Sequence, residues 1–198
     1  AAKIPVINAL SDRYHPCQGL ADLFTLWERP GSLENQRIAY LGDGNNVCHS
    51  LMHAAALLGV DVTAITPPGC EPADDVVAEC ERIARGSGAQ IKVSHEPGDV
   101  AGHTALYTDV WTSMGADHTT ARSELFAPYQ VNEKLMADAA KGAAVAPVFM
   151  HCLPAKRGQE VTNPVIDSPA SIVYDQAEHR MHAQNALLLR MLAPDHAI

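Results

Sequence analysis

The sequence has no stretch of apolar residues approaching the roughly 18 that a membrane-spanning helix needs. It also lacks a basic cluster, and its 14 lysines and arginines stand against 23 acidic residues, for a net charge of −9. Nucleic acids and anionic membrane surfaces are bound through basic patches, so we expect neither as the main partner. One or two arginines are still enough to bind a small anion.

Cysteine is sparse, and its arrangement indicates neither a disulfide framework nor a zinc site. The number is odd and no pair of CxxC motifs occurs, so we expect no metal site. No signal peptide is evident, and we predict reduced thiols and a cytoplasmic location. The chain opens AAKIPVINAL without a methionine, and we expect it to be a piece of a longer polypeptide. The cysteines are Cys17, Cys48, Cys70, Cys80 and Cys152.

Apolar runs typical of strands alternate with helical patterns through the middle of the chain. Strand, helix and strand at this spacing indicate βαβ units with right-handed connections. We therefore predict an α/β fold, a Rossmann-like three-layer domain with a mostly parallel sheet. The predicted strands are 37–43, 60–69, 90–96, 104–110 and 146–153, and the predicted helices between them are 46–59, 71–86 and 128–139.

Two further helical patterns, at 17–29 and 178–192, bracket this domain without lying between strands. They either pack back on the domain or extend toward another one. The predicted organisation is an interdomain segment and helix over 1–32, an α/β domain over 33–176 and a C-terminal interdomain helix over 177–198.

Three polar clusters fall at the ends of predicted strands: GDGNN at 42–46, DVWTSMG at 109–115 and HCLP at 151–154. Ligands of open parallel sheets bind at the carboxyl ends of the strands, near the point where strand order reverses. We therefore expect these clusters to form a single site.

The GDGNN cluster resembles a nucleotide-binding loop only weakly. The third glycine of GxGxxG is replaced by Val47, and Asp43 would repel a pyrophosphate. Two interpretations stay open: a tight turn with Asn45 capping the next helix, or an amide from Asn46 or Asn45 offered to a polar substrate.

Asp109 follows a strand, where it either binds a cationic ligand group or caps the next turn. Nearby Trp111 is expected to pack rather than to act chemically. His15 and Gln18 lie at the start of a helix, a position that attracts anions but is also common in surface turns.

In the HCLP cluster, Cys152 would need a base and a lowered pKa to act as a nucleophile. On a strand His151 points to the opposite face, which argues against a Cys–His dyad. Metal-ligand spacing is lacking around it. The Leu153–Pro154 bond is a candidate for the cis form.

Taken in order, HPCQGLAD, GDGNNVCHS, DVWTSMG, MHCLPAKRG and EHRMHAQNALL resemble the ornithine carbamoyltransferases over essentially the whole chain. HCLP with DxWxSMG is typical of the ornithine enzymes rather than the aspartate enzymes. Members of this family have a first domain that binds carbamoyl phosphate through a Ser-Thr-Arg-Thr segment, and these 198 residues contain no such segment. The resemblance thus implies the C-terminal ornithine-binding domain with two interdomain helices, the N-terminal carbamoyl-phosphate domain being absent.

The resemblance implies transfer of the carbamoyl group of carbamoyl phosphate to L-ornithine, giving L-citrulline and phosphate in arginine metabolism. It implies no cofactor, and a homotrimer or a multiple of trimers for the complete enzyme. The implied catalytic residues are Asp109, Cys152, Arg180 and His15, with Cys152 acting as a thiolate beside the amine. The implied ornithine contacts are Asn46, Asp109, Ser113, Met114 and Cys152. The implied carbamoyl phosphate contacts are His15, Pro16, Cys17, Gln18, Cys152, Leu153 and Arg180.

Family members often have Glu-Asn-Arg where this chain has Glu178, His179 and Arg180, and Gln-Glu where it has Ala116 and Asp117. The arginine is kept, so the implied site is unchanged.

Alternative functions are a non-catalytic amino-acid-binding paralogue and a carbamoyltransferase for acetylornithine or putrescine. We expect the isolated chain to have little or no activity. We also expect it to expose apolar side chains of its flanking helices, such as Leu20, Phe24 and Leu187.

Overall fold

A computed structural model of the chain describes residues 4–111 and 119–193. Its centre is a five-stranded sheet in which every neighbouring pair of strands is parallel, in the order β3-β2-β1-β4-β5. This confirms the predicted α/β fold and the predicted strands. The strands are β1 Arg37–Leu41, β2 Asp61–Ile65, β3 Ile91–Ser94, β4 Ala105–Thr108 and β5 Val148–His151.

Helices cover both faces of the sheet and give three layers. On one face α1, α2 and α3 pack on a core that includes Leu51 and Tyr107, and on the other α5 and α6 pack on a core that includes Phe149. The helices are α1 Pro16–Glu28, α2 Asn46–Leu58, α3 Asp74–Ser87, α4 Thr120–Phe126, α5 Glu133–Ala139, α6 Asn163–Ile166 and α7 Val173–Leu192, with 3₁₀ turns at Pro97–Val100 and Ala127–Tyr129.

Some helix boundaries differ from the prediction. The segment 128–139 is not one helix, because Asn132 is extended and its side chain caps α5 by accepting from the Leu135 amide. The short helices α4 and α6 were not predicted, since each has too few residues to show a helical period. Helix α7 begins at Val173, so the domain boundary predicted after residue 176 lies inside it.

Helices α1 and α7 pack back on the domain and on each other. Gly19 of α1 approaches α2 so closely that a Cβ there would lie 2.7 Å from the Ser50 carbonyl oxygen. Between α1 and α7, Thr25 Oγ1 lies 2.8 Å from His179 Nδ1, and His179 Nε2 lies 2.9 Å from Glu28 Oε2. Of the two alternatives left open by the sequence, the structure therefore supports packing on this domain.

Apolar side chains remain exposed on both helices. Leu20 is 43% exposed, as expected, whereas Phe24 and Leu187 are only partly exposed. Phe24 stacks on Trp27 with ring centroids 5.9 Å apart and contacts His179 at 4.7 Å. None of the described helices is long and apolar enough to cross a membrane.

Candidate active site at the carboxyl edge of the sheet

The three polar clusters meet at one edge of the sheet. Strand β1 lies between β2 and β4, and its connection to β2 runs in the opposite direction from the connection that leads to β4. Order therefore reverses beside β1, where parallel sheets bind ligands. Asp43, Asp109 and Cys152 follow the ends of β1, β4 and β5, and they lie side by side because those strands are neighbours.

The GDGNN turn is shaped by a close backbone approach and a helix cap. A Cβ at Gly44 would lie 2.2 Å from Pro72 N, so only glycine fits there. Asn45 Oδ1 accepts from the amides of Val47 and Cys48 and caps α2. The capping interpretation of Asn45 is thus confirmed.

Asn45 also reaches the neighbouring strand end. Its Nδ2 donates to Asp109 Oδ2 at 2.8 Å, while the Tyr40 hydroxyl donates to its Oδ1 at 3.1 Å. Asp43 is paired with Arg122, which also donates from Nε to the Trp111 carbonyl oxygen at 2.6 Å. The turn therefore orients Asp109 through a side chain that the sequence assigned only to capping or substrate contact.

Asp109 and Cys152 form the centre of the site. The Cys152 thiol donates to Asp109 Oδ1 at 3.0 Å, and the Val110 amide donates to the same oxygen at 2.7 Å. Burial of Cys152, followed by the negative charge of Asp109, raises the pKa of the thiol well above its usual range. The shift favours a protonated thiol when no substrate is bound, so the thiolate beside the amine stays a prediction for the substrate-bound site.

This protonation state has a chemical consequence at Cys152. We expect slow alkylation by iodoacetamide at pH 7.5. Asp109→Asn should speed it about tenfold or more, since removing a like charge lowers the thiol pKa and each unit is tenfold in thiolate. Mass spectrometry of the Cys152 peptide measures the rate, with the Cys70 peptide as internal control. A Cys152 rate equal to that of a free thiol, or one unaltered by Asp109→Asn, would contradict the assignment.

The turn after β5 is held by a buried histidine. The Leu153 amide donates to His151 Nδ1 at 2.8 Å, so the ring proton is on Nε2, which donates to Glu160 Oε1 at 3.2 Å. The side chains of His151 and Glu160 are 0% exposed. The Leu153–Pro154 bond is cis, as predicted, and Leu153 has φ +57°. With its amide engaged, Leu153 offers only its carbonyl oxygen to a ligand.

His151 makes no hydrogen bond to Cys152, in agreement with the argument against a dyad. It is nevertheless closer than strand alternation implies, because Cys152 lies just beyond β5. Ligand atoms of Asp109, His151 and Cys152 all lie within 4.8 Å of one another. Both ring nitrogens of His151 are engaged, so a cation there would have to displace Leu153 or Glu160 from the ring. These contacts disfavour His151 as a metal ligand.

A second group of side chains lies at the start of α1. Arg180 Nη1 donates to Gln18 Oε1 and lies 3.5 Å from His15 Nε2. Burial, followed by the charge of Arg180, lowers the pKa of His15, while Asp109 is close enough to oppose this shift. Among the described residues no carboxylate lies within 4 Å of the Arg180 guanidinium, which leaves it available to an anion.

The other residues predicted to contact the substrates differ in where they lie. Pro16 is exposed at the first position of α1, but Cys17 is 3% exposed with its thiol 3.9 Å from the Asn8 carbonyl oxygen. The Cys17 contact with carbamoyl phosphate therefore stays a prediction. Asn46 donates to the Ser11 carbonyl oxygen at 2.7 Å, and its contact with ornithine stays a prediction. Ser113 and Met114 lie outside the described residues.

Because Asn45 caps α2 and orients Asp109, its loss should have two separable effects. We expect Asn45→Ala to lower the free energy of unfolding by about 1 kcal/mol. In the full-length gene product it should also slow a reaction that uses the Asp109 carboxylate. Asn132→Ala is the matched control, since Asn132 caps α5 at 3.0 Å without touching the site. Urea unfolding and steady-state kinetics of both variants check this, and equal kinetic losses would contradict it.

A groove of about 710 Å³ in the described structure lies apart from the site. It is lined by Arg37, Lys92 and His103 among others, and no candidate residue borders it.

Comparison with known proteins places this geometry in a family. The Asp/Orn binding domain of the aspartate/ornithine carbamoyltransferases matches residues 34–191, and their carbamoyl-P binding domain matches residues 1–28. The expectation that the first domain is absent is thereby refined. A short segment matched to it is present and includes α1.

Two ornithine carbamoyltransferases are similar to this chain over most of its length. The ornithine carbamoyltransferase of Pyrococcus horikoshii is 49% identical over 193 residues, covering 96% of this chain and 60% of the relative. That of Bacillus cereus strain ATCC 14579 is 47% identical over 192 residues, 96% of this chain and 59% of the relative.

A solved structure of the Pyrococcus furiosus ornithine carbamoyltransferase matches with a TM-score of 0.89 and 49% identity, over 95% of this chain and 59% of that one. This chain spans about 60% of the length of the curated relatives it matches. The match to the family model over 34–191, most of its residues, shows that the chain belongs to the aspartate/ornithine carbamoyltransferase family.

Proposed function

We propose that this chain provides the ornithine-binding part of an ornithine carbamoyltransferase, which converts L-ornithine and carbamoyl phosphate to L-citrulline and phosphate. The observation that carries the proposal is the pairing of two opposite chemistries at one edge of the sheet. His15, Gln18 and Arg180 suit an anion, and the Asp109–Cys152 pair suits an amine. The names of the relatives agree with this substrate pair.

The incoming amine has to lose a proton before it attacks. An alkylammonium has a pKa of about 10, so presenting it neutral at pH 7 costs roughly 4–5 kcal/mol. In our proposal the ammonium donates to Asp109 Oδ1 in place of the Cys152 thiol. The sulfur then lies beside the nitrogen and aligns it.

Attack needs no acyl-cysteine, because carbamoyl phosphate is already activated. The ammonium first releases one proton to solvent, and the neutral nitrogen forms a bond to the carbamoyl carbon. The bond to the phosphate oxygen then breaks, and phosphate leaves with the electron pair and takes up the second proton from the nitrogen. Arg180 and His15 donate to the oxygen that becomes negative in the tetrahedral intermediate. The Leu153 carbonyl oxygen accepts from the carbamoyl amide, and Asn46, Ser113 and the Met114 main chain bind the ornithine α-groups. Holding two reactants together supplies much of the remaining acceleration.

The proposal includes an assembly and a location. We propose a homotrimer for the complete enzyme and a reducing, cytoplasm-like compartment. All five cysteines are free in the structure, which supports the compartment. Size-exclusion chromatography with light scattering tests the trimer.

A substrate panel tests the reaction. With carbamoyl phosphate, the full-length product of the gene should form citrulline from L-ornithine and no product from N-acetylornithine or putrescine. The isolated 198-residue chain should form little or none, because it contains no Ser-Thr-Arg-Thr segment. Product from another amine would favour an alternative substrate, and inactivity of the full-length product would favour a non-catalytic paralogue. Citrulline formation by the isolated chain at the full-length rate would contradict the expectation that the 198 residues need a further segment for activity.

A further inference from the structure

A buried carboxyl on α1 lies behind the candidate site and touches none of the proposed substrate positions. Asp22 is 0% exposed, and its Oδ1 accepts from Gln18 Nε2 at 2.7 Å and from Gln176 Nε2 at 2.7 Å. Both glutamines are 1% exposed, so water does not replace these contacts. A carboxyl with two amide donors on one oxygen fixes how both amides are turned.

Each oriented amide forms a hydrogen bond with a different part of the site. Because Gln18 Nε2 is bound to Asp22, its Oε1 is left to accept from Arg180 Nη1. Because Gln176 Nε2 is bound to the same oxygen, its Oε1 accepts from the His151 amide at 3.0 Å. His151 directly precedes Cys152.

We propose that Asp22 is a positioning residue, whose carboxyl fixes the Arg180 guanidinium through Gln18 and the main chain leading into Cys152 through Gln176. This inference rests on the proposed function, since it assigns these two parts to the two substrates. One carboxyl then sets the separation between the anion-binding group and the amine-binding pair.

The alternative orientation of Gln18 shows why the acceptor matters. Without Asp22 the buried amide can turn its NH₂ group toward the guanidinium, which places two donors face to face. Arg180 would lose an acceptor that holds it beside His15. A buried donor left without a partner is itself unfavourable, so the surrounding side chains would rearrange.

The contacts also join the two parts of the chain that match different domain models. Asp22 and Gln18 lie within residues 1–28, while Gln176 and Arg180 lie within 34–191. Asp22 therefore links the segment matched to the carbamoyl-P binding domain with the Asp/Orn binding domain.

Three variants of the full-length gene product test the role. Asp22→Leu keeps the branching of the side chain and removes both acceptor contacts, whereas Asp22→Asn keeps an oxygen that both amides can reach. Thr25→Val is the matched control: Thr25 is buried on the same helix and contacts α7 at His179, but not Gln18 or Arg180. If Asp22→Leu does not fold, Asp22→Thr, which is too short to reach both amides, replaces it.

The kinetic readout is the KM for each substrate. Asp22→Leu should raise the carbamoyl phosphate KM about tenfold or more and also impair ornithine use. In Asp22→Asn the carbamoyl phosphate KM should stay within about threefold of the wild-type value, and in Thr25→Val it should be unchanged. A wild-type KM in Asp22→Leu, or an equal rise in Thr25→Val, would overturn the positioning role.

A readout without substrate separates this inference from the proposed function. In nitrogen-15 NMR spectra, one side-chain amide proton each of Gln18 and Gln176 should exchange slowly with solvent. This protection should persist in Asp22→Asn and Thr25→Val and be lost in Asp22→Leu. Inactive wild-type protein with this pattern would refute the proposed function but keep the contacts, and protection that survives Asp22→Leu would overturn the inference.

Discussion

Replacing Asp109 by asparagine is expected to raise the ornithine KM by about a hundredfold, with little change in the KM for carbamoyl phosphate. The carboxylate is 8% exposed and already oriented by Asn45, so an ammonium bound there gains a charged hydrogen bond in a low-dielectric site. Steady-state kinetics of the full-length gene product with each substrate varied in turn measure both constants.

Asp43→Asn provides the matched control for this experiment. Asp43 also follows a strand at the same edge, but its carboxylate is paired with Arg122. We expect its ornithine KM to remain within about threefold of the wild-type value, because no ammonium contact is removed. An unaltered ornithine KM in Asp109→Asn, or equal effects in both variants, would remove Asp109 from the amine site.

The second large effect concerns stability and pH. Burial raises the pKa of Asp22 to about 7, although hydrogen bonds from Gln176 and Gln18 act in the opposite direction. An acid whose pKa is raised by folding stabilises the folded state below its ordinary value of 3.8, and this contribution is lost as pH rises through about 7. The difference between these values corresponds to roughly 4 kcal/mol of folding free energy.

Asp22→Asn isolates this contribution because asparagine does not titrate. We expect the variant to match the wild type in stability near pH 4 and to be more stable by up to about 4 kcal/mol near pH 8. Urea unfolding of both proteins across this pH range measures the difference, which includes the coupling of Asp22 to the charges of Arg180, Tyr107 and Cys152. A difference that does not change between pH 4 and pH 8 would show that the buried carboxyl does not titrate in this range.

Much of the fold was predictable because the buried strands and the longer helices have clear periods. The order of the strands was not predictable, since no local sequence pattern indicates which strand lies beside β1. That order brings β4 between β1 and β5 and so puts Asp109 next to Cys152. The strand-end rule predicted a shared site, but the thiol–carboxylate contact and the burial that raises the pKa of the thiol needed the structure.

The supporting side chains were missed for a physical reason. Asn45 has a local signal for capping, yet its contact with Asp109 joins residues 64 positions apart. Asp22 and Gln176 are 154 positions apart and look like ordinary polar residues of two helices. Glu160 lies in a loop with no motif around it, although it is fully buried against His151. Buried polar partners are chosen by three-dimensional packing, which local patterns do not record.

The central claim is that Asp109 and Cys152 act together on the incoming amine. A double-mutant cycle in the full-length gene product, with Asp109→Asn, Cys152→Ala and the double variant, measures their coupling through kcat/KM for ornithine. We expect each single variant to be impaired and the double variant to be about as impaired as Asp109→Asn alone. A loss of kcat/KM in the double variant equal to the product of the two single-variant losses would contradict the account. Wild-type turnover and ornithine binding in Cys152→Ala would contradict it as well.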